Sequence, residues 1–222
     1  MRRICLWLYC LLLCVSFPMV SHAGPLEDGA AAMKSGDYRR AYQLLYPLAE
    51  EGDAAAQDYI GTIFCEGLGV GMDERTAVSW YEKSAAQGYA KAQYALGVMY
   101  VNGRGVEKNE KKGISLITEA GQQGLVTAKQ DAYGYYLKMA QDGNVVATHN
   151  VAYMCLKGWA GEVSPHKCVA LLETAAKDGF AKSAYALSQV YSEGLYGVEK
   201  DEEKAAYWKD YADNLTETPA AE

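Results

Sequence analysis

The sequence predicts an all-α chain built as an array of helix pairs, and three observations carry that expectation. Glycines hold a register: Gly52, Gly88 and Gly124 lie 36 residues apart, and Gly143 and Gly179 repeat the interval. Apolar residues between them fall at helical spacing, as Ala56, Ile60 and Phe64 do at i, i+4 and i+8. One position of the unit always carries a residue suited to capping a helix N-terminus: Asp73, Asn109, Ser164 and Asp201. A chain of 222 residues can fold as one core or as stacked small units, and the shared register decides for the units.

The elements follow in chain order. In residues 1–23, Arg2 and Arg3 precede an apolar run from Ile4 to Val20, and Ser21 and Ala23 place small residues at a cleavage site, the pattern of a secretory signal peptide. Its removal takes the charge balance from −7 to −9, because two arginines leave and no acid does. Residues 24–53 form an N-terminal capping pair that lacks the long Gly-x-Gly turn. Residues 54–90 form a full unit. Its first helix stops at Gly67, which suits a left-handed C-cap, and its second starts at Asp73 and turns Ala77, Trp80, Tyr81, Ser84 and Ala85 inward. Residues 91–126 repeat this with Gly97, Gly103, Gly105, Val106 and Asn109.

Residues 127–144 break the period. Ala128, Ala132, Tyr135, Tyr136 and Met139 suffice for one helix without a partner, a degenerate half-unit. Residues 145–181 resume the register with an altered loop, Gly158-Trp159-Ala160-Gly161, and a Ser164-Pro165 helix start. Residues 182–214 form the last unit, with one extra residue between Gly194 and Gly197, and 215–222 are expected to be a mobile tail.

Aligned second helices place Leu44, Trp80, Leu116, Leu171 and Trp208 at a large position and Ala41, Ala77, Gly113, Cys168 and Ala205 at a small one. Aligned first helices keep Gly61, Gly97, Ala152 and Ser188 small, and fill another position with Phe64, Tyr100, Cys155 and Tyr191. A mid-helix glycine costs up to about 1 kcal/mol relative to alanine, so these glycines predict close helix contact.

These residues resemble the Sel1-like repeat, a relative of the tetratricopeptide repeat with a longer turn between its helices. The segments that carry the resemblance are Ala92 to Tyr100, Gly103-Arg104-Gly105-Val106, Thr76 to Gly88, and Lys204-Ala205-Ala206-Tyr207-Trp208. The resemblance spans Asp28 to Asp213. It implies a right-handed α/α solenoid whose members act mostly as non-enzymatic adaptors, and it implies no reaction.

Charge and motifs narrow the function classes. An acidic chain without a basic stripe repels phosphate backbones and anionic lipid, which disfavours nucleic-acid and membrane-surface binding. After signal cleavage no apolar run remains to span a membrane. The Gly-x-Gly pieces follow helices rather than strands, unlike a nucleotide cradle. Ser164-Pro165-His166-Lys167 spells Ser-x-x-Lys, the nucleophile motif of penicillin-interacting enzymes, but without its Ser-Asp-Asn and Lys-Thr-Gly companions. An N-cap role accounts for Ser164. His149, Cys155, His166 and Cys168 match no zinc spacing, so neither metal nor cofactor is expected. In an oxidising compartment Cys155 and Cys168, both expected to face the shared interior, form a disulfide or stay as two buried thiols. Cys65 remains as a buried free thiol or pairs between molecules.

Tyrosine is abundant, 18 against 3 phenylalanines. Tyr81, Tyr100 and Tyr191 fall at core positions. Tyr59, Tyr94, Tyr153 and Tyr185 lie off the apolar stripe of first helices, which line the concave face of a solenoid. With His149, Asn150 and Gln189 they form a strip suited to a protein or peptide partner, or else they pack between adjacent first helices. Acidic residues around that strip favour a basic partner. The expectation is a monomeric, exported scaffold, periplasmic or secreted. A secreted effector that binds host proteins, or a hydrolase of cell-wall or β-lactam substrates, is the alternative.

Overall fold

The computed structural model describes residues 24–217. The signal-peptide reading of residues 1–23 and the tail from 218 onward lie outside them. The described residues form eleven α-helices and no strand. They are α1 (Pro25–Ser35), α2 (Tyr38–Glu50), α3 (Ala54–Glu66), α4 (Glu74–Ala86), α5 (Ala90–Asn102) and α6 (Glu110–Gln122), then α7 (Val126–Gln141), α8 (Val145–Leu156), α9 (Pro165–Lys177), α10 (Ala181–Glu193) and α11 (Glu202–Glu217). Helix α11 runs past the predicted start of the tail, so Leu215 to Glu217 are helical. Each helix packs on its neighbours in sequence, most closely within the pairs α3–α4, α5–α6, α8–α9 and α10–α11, as an α/α solenoid requires.

Local chemistry sets the helix ends. Asp73 accepts from the Arg75 and Thr76 amides, Asn109 from Lys112 and Asp201 from Lys204, at 3.0–3.1 Å. The cap residue's own amide closes the loop behind it. Asp73 N donates to the Phe64 carbonyl, Asn109 N to Tyr100 and Asp201 N to Tyr191, each at 2.9 Å. The α8–α9 unit differs on both counts. Ser164 occupies the N-cap position, yet its hydroxyl makes no capping bond, and only its carbonyl is used, by Lys167 and Cys168. Pro165 starts α9 without an N–H to satisfy, so less is demanded of a cap there.

The pairs pack by size. Built on Gly61, a β-carbon would lie 2.8 Å from the Tyr81 ring, and on Gly97 it would lie 2.7 Å from Ile117 Cγ1. The large position of the second helices lies one residue later than the sequence suggests. Leu45, Tyr81, Ile117 and Leu172 are buried, whereas Leu44, Leu116 and Leu171 stay half-buried. Trp80 and Trp208 do bury at the predicted position, because an indole is long enough to reach the interior from the flank.

One buried charge makes stability depend on pH. Asp58 is 7% exposed on α3, and burial pushes its carboxyl up to about 6, with Lys91 offsetting part of the effect. An acid raised in the fold binds a proton more tightly there than in the unfolded chain, so stability falls as pH rises from the ordinary carboxylate range through about 6. Asp58→Asn is expected to stabilise the protein by about 1–2 kcal/mol at pH 7.5, less than the full cost of the ion because a buried amide is itself unfavourable. At pH 4 the gain disappears. Thermal melts of both proteins at the two pH values measure it, and an equal gain at both would contradict the assignment.

Candidate functional site

The break in the period shapes the site. Helix α7 has no partner helix, so α8 follows it directly where a regular unit would insert a second helix. The vacated space is partly refilled from the loop after α8. Trp159 folds back onto α6, where a β-carbon on Gly121 would stand 3.0 Å from the indole edge. The indole joins Ile117, Ala120, Ala128, Ala132 and Met154 in one apolar cluster. An open cleft of about 560 Å³ remains between α6, α7 and α8. Thr118 and Gln122 line it from α6, Tyr136 from α7, and His149, Asn150, Tyr153 and Met154 from α8, with Lys157 and Trp159 beyond.

Three of the seven residues singled out from the sequence therefore meet in one place: His149, Asn150 and Tyr153. The other four lie elsewhere, and two of them, Tyr94 and Tyr185, are held by bonds to other helices of the stack. Asp58, Tyr94, His149 and Tyr185 occupy one column of the repeat, and each faces another helix of the stack. The Tyr94 hydroxyl donates to Asp131 of α7 at 2.9 Å, and His149 Nδ1 bonds Ser183 Oγ of α10 at 2.8 Å. Asp58 is electrostatically coupled to Lys91 on α5. Tyr185 donates to Asp213 of α11 at 2.6 Å. The Tyr94 phenol thus links α5 to α7, and the Tyr185 phenol links α10 to α11. Burial, then the bond to Asp131, pushes the Tyr94 hydroxyl up to about 12. Tyr59 is half-buried against the cluster of Ala56, Ile60, Ile63 and Trp80, and Gln189 is exposed on α10.

Sequence reasoning missed Asp58, although 36 residues separate it from Tyr94. It also missed Gln122, Tyr136, Lys157 and Trp159. Tyr136 was visible only as part of the half-unit, and Trp159 only as an oddity of the altered loop.

The cleft holds hydrogen-bonding groups whose counterparts in two regular units are tied down. In the regular units, amides pair across helices: Gln87 Nε2 donates to Gln57 Oε1 at 2.9 Å, and Gln123 Nε2 to Gln93 Oε1 at 2.6 Å. Gln57 Nε2 donates onward to the Ala49 carbonyl. Among the described residues, no side-chain hydrogen bond engages Gln122, Asn150 or the Tyr136 hydroxyl. Tyr153 is 46% exposed. His149 is pushed down by burial and then by Lys182, which favours its neutral form near neutral pH. Lys157 is the one charged side chain in the lining, and no carboxylate lines it.

The Ser-x-x-Lys and zinc candidates lie outside the cleft lining except for His149. Ser164 and Lys167 are both exposed. Cys155 and Cys168 are joined in a disulfide, which occupies both sulfurs of the four candidate zinc ligands. Among the described residues, no group of three or more His, Cys, Asp or Glu is placed to hold a metal ion. No described helix is long and apolar enough to cross a membrane. Cys65 is free and buried beside Arg104, whose Nη2 lies 3.7 Å from the sulfur.

A family model described as Sel1 repeat matches residues 24–53, 54–89, 90–125, 145–180 and 181–208. The unmatched interval between the third and fourth matches contains α7, the helix beside the cleft. Among solved structures, 24 chains match. One is a Sel1 repeat protein from Oxalobacter formigenes, 25% identical over 86% of this chain and 85% of that one, with a TM-score of 0.46. Another is a protective antigen of uropathogenic Escherichia coli strains displaying an SLR fold, 25% identical over 86% of this chain and 45% of that one, with a TM-score of 0.49. No curated protein matches the chain.

Proposed function

Because the chain belongs to the Sel1 repeat family, whose repeats generally mediate protein–protein interaction, we propose that it is a non-enzymatic scaffold that holds a partner peptide in the α6–α7–α8 cleft. The observation that carries this reading is the coincidence of unengaged hydrogen-bonding groups with open aromatic surface where the repeat is interrupted. Gln122 and Asn150 suit the amides of an extended chain, while Tyr136, Tyr153 and Trp159 offer rigid apolar area with polar edges. In the α3–α4 and α5–α6 units the amides of Gln57, Gln87, Gln93 and Gln123 are instead engaged in internal bonds.

The scaffold acts after export, in the periplasm or outside the cell. The basic and apolar pattern of residues 1–23 supports this, and the Cys155–Cys168 disulfide suits an oxidising compartment. The protein works as a monomer. Crosslinking in the native envelope followed by co-purification tests the cleft. Asn150→Ala with Tyr153→Ala is expected to lose the main captured protein, while Tyr94→Ala with Tyr185→Ala retains it. The reverse pattern would move the site to the tyrosine column.

A further inference from the structure

The charge of the cleft says what kind of segment it takes. Lys157 stands at its edge with the ammonium 5.4 Å from the centroid of the Tyr153 ring and 5.2 Å from that of Tyr196. No described carboxylate forms an ion pair with it, unlike Lys108, Lys177, Lys200 and Lys204, each of which meets an acidic side chain within 4 Å. Two ring faces thus orient this cation without neutralising it. Tyr196 reaches it from the next unit at a conformational cost. It lies in the stretch lengthened by one residue between Gly194 and Gly197, and among the described residues it alone combines a β-carbon with a positive φ, of 57°. A non-glycine residue is held in that region only where its surroundings fix it, and here the ring completes the flank of Lys157.

We propose that Lys157, held between Tyr153 and Tyr196, anchors an acidic side chain of the bound segment, so that the cleft selects an extended acidic peptide. The proposal rests on the cleft being the binding site. It reverses the partner charge expected from composition, because an excess of surface acids sets the field of the whole molecule while the cleft lining holds one cation and no anion. The side-chain amides of Gln122 and Asn150 would hold the segment's main chain while Lys157 takes its carboxylate. A lysine in this position is a point charge that a single carboxylate satisfies.

The test is selection from a displayed random peptide library whose termini are both blocked, using the purified protein. Selected sequences are expected to carry Asp or Glu at one recurring position. Lys157→Gln is expected to weaken the best of them on the order of tenfold, the effect of losing one charge-assisted contact, while Lys157→Arg keeps most of the affinity. Peptides that are enriched without an acidic position, or that bind Lys157→Gln as well as the parent, overturn the anchor. If such peptides still lose affinity in Asn150→Ala, the cleft reading survives that outcome. If no sequence is enriched, the cleft reading falls and takes the anchor with it. Unchanged thermal melts of the Lys157 variants show that the comparison is made on folded protein.

Discussion

Gly113→Val is expected to destabilise the protein by about 3 kcal/mol or more, at the upper end of what overpacking a helix interface costs. The α5–α6 crossing is where two small positions meet face to face. A β-carbon on Gly113 would lie 2.6 Å from the Gly97 carbonyl oxygen and 2.9 Å from the Val101 amide nitrogen. One on Gly97 would lie 2.8 Å from the Gly113 carbonyl oxygen. Backbone cannot rotate away as a side chain can, so the helices must separate. The other units put alanine, cysteine or serine at one or both of these positions. Gly134 provides the contrast. It is exposed on α7 with nothing within 4 Å of a built β-carbon, so Gly134→Ala should stabilise by up to about 1 kcal/mol through helix propensity alone. Urea unfolding of both variants measures the difference. A Gly113→Val protein as stable as the parent would mean that α5 and α6 lie farther apart than described.

Removal of the Cys155–Cys168 disulfide is expected to cost about 3 kcal/mol, the loop-closure entropy for a sequence separation of 13 residues. The unit that carries it needs it for a further reason. Cys155 stands in the column of Phe64, Tyr100 and Tyr191, whose carbonyls accept the loop-closing amide bond in the other units. Among the described residues no such bond runs from Ser164 back to Cys155, and the Ser164 hydroxyl makes no cap. The disulfide therefore fastens the α8–α9 turn where the usual hydrogen bonds are missing. Cys155→Ala with Cys168→Ala should lower the unfolding free energy by that amount and speed amide exchange in residues 157–165. Loss of stability without faster exchange there would mean that the loop has another clasp.

Much of this was legible in the sequence because it is periodic. The glycine interval, the caps at Asp73, Asn109 and Asp201, and the small positions at Gly61 and Gly97 are set within one helix or one turn. Inter-helix geometry was less legible. Tyr94 and Asp131 are 37 residues apart, and only the angle between α5 and α7 decides that the hydroxyl reaches the carboxylate. Likewise the offset from Leu116 to Ile117 depends on how far each second helix rotates between its neighbours. The cleft was hardest to foresee, since it comes from a helix that is absent. Its lining collects Gln122, Tyr136, Lys157 and Trp159, which share no motif and meet only because α7 stands alone. Tyr196 escaped notice because a loop insertion tells nothing about the sign of φ.

Photo-crosslinking from single positions in the cell tests the central claim most directly. A photoreactive phenylalanine analogue is placed at Tyr153 in the cleft or at Tyr207, which is 57% exposed on α11 and lies outside the cleft lining. The account predicts one dominant protein adduct from position 153 that disappears in Asn150→Ala, and none from position 207. An equal adduct from position 207, or none from position 153 while partners still co-purify, would place recognition elsewhere on the solenoid and contradict the account.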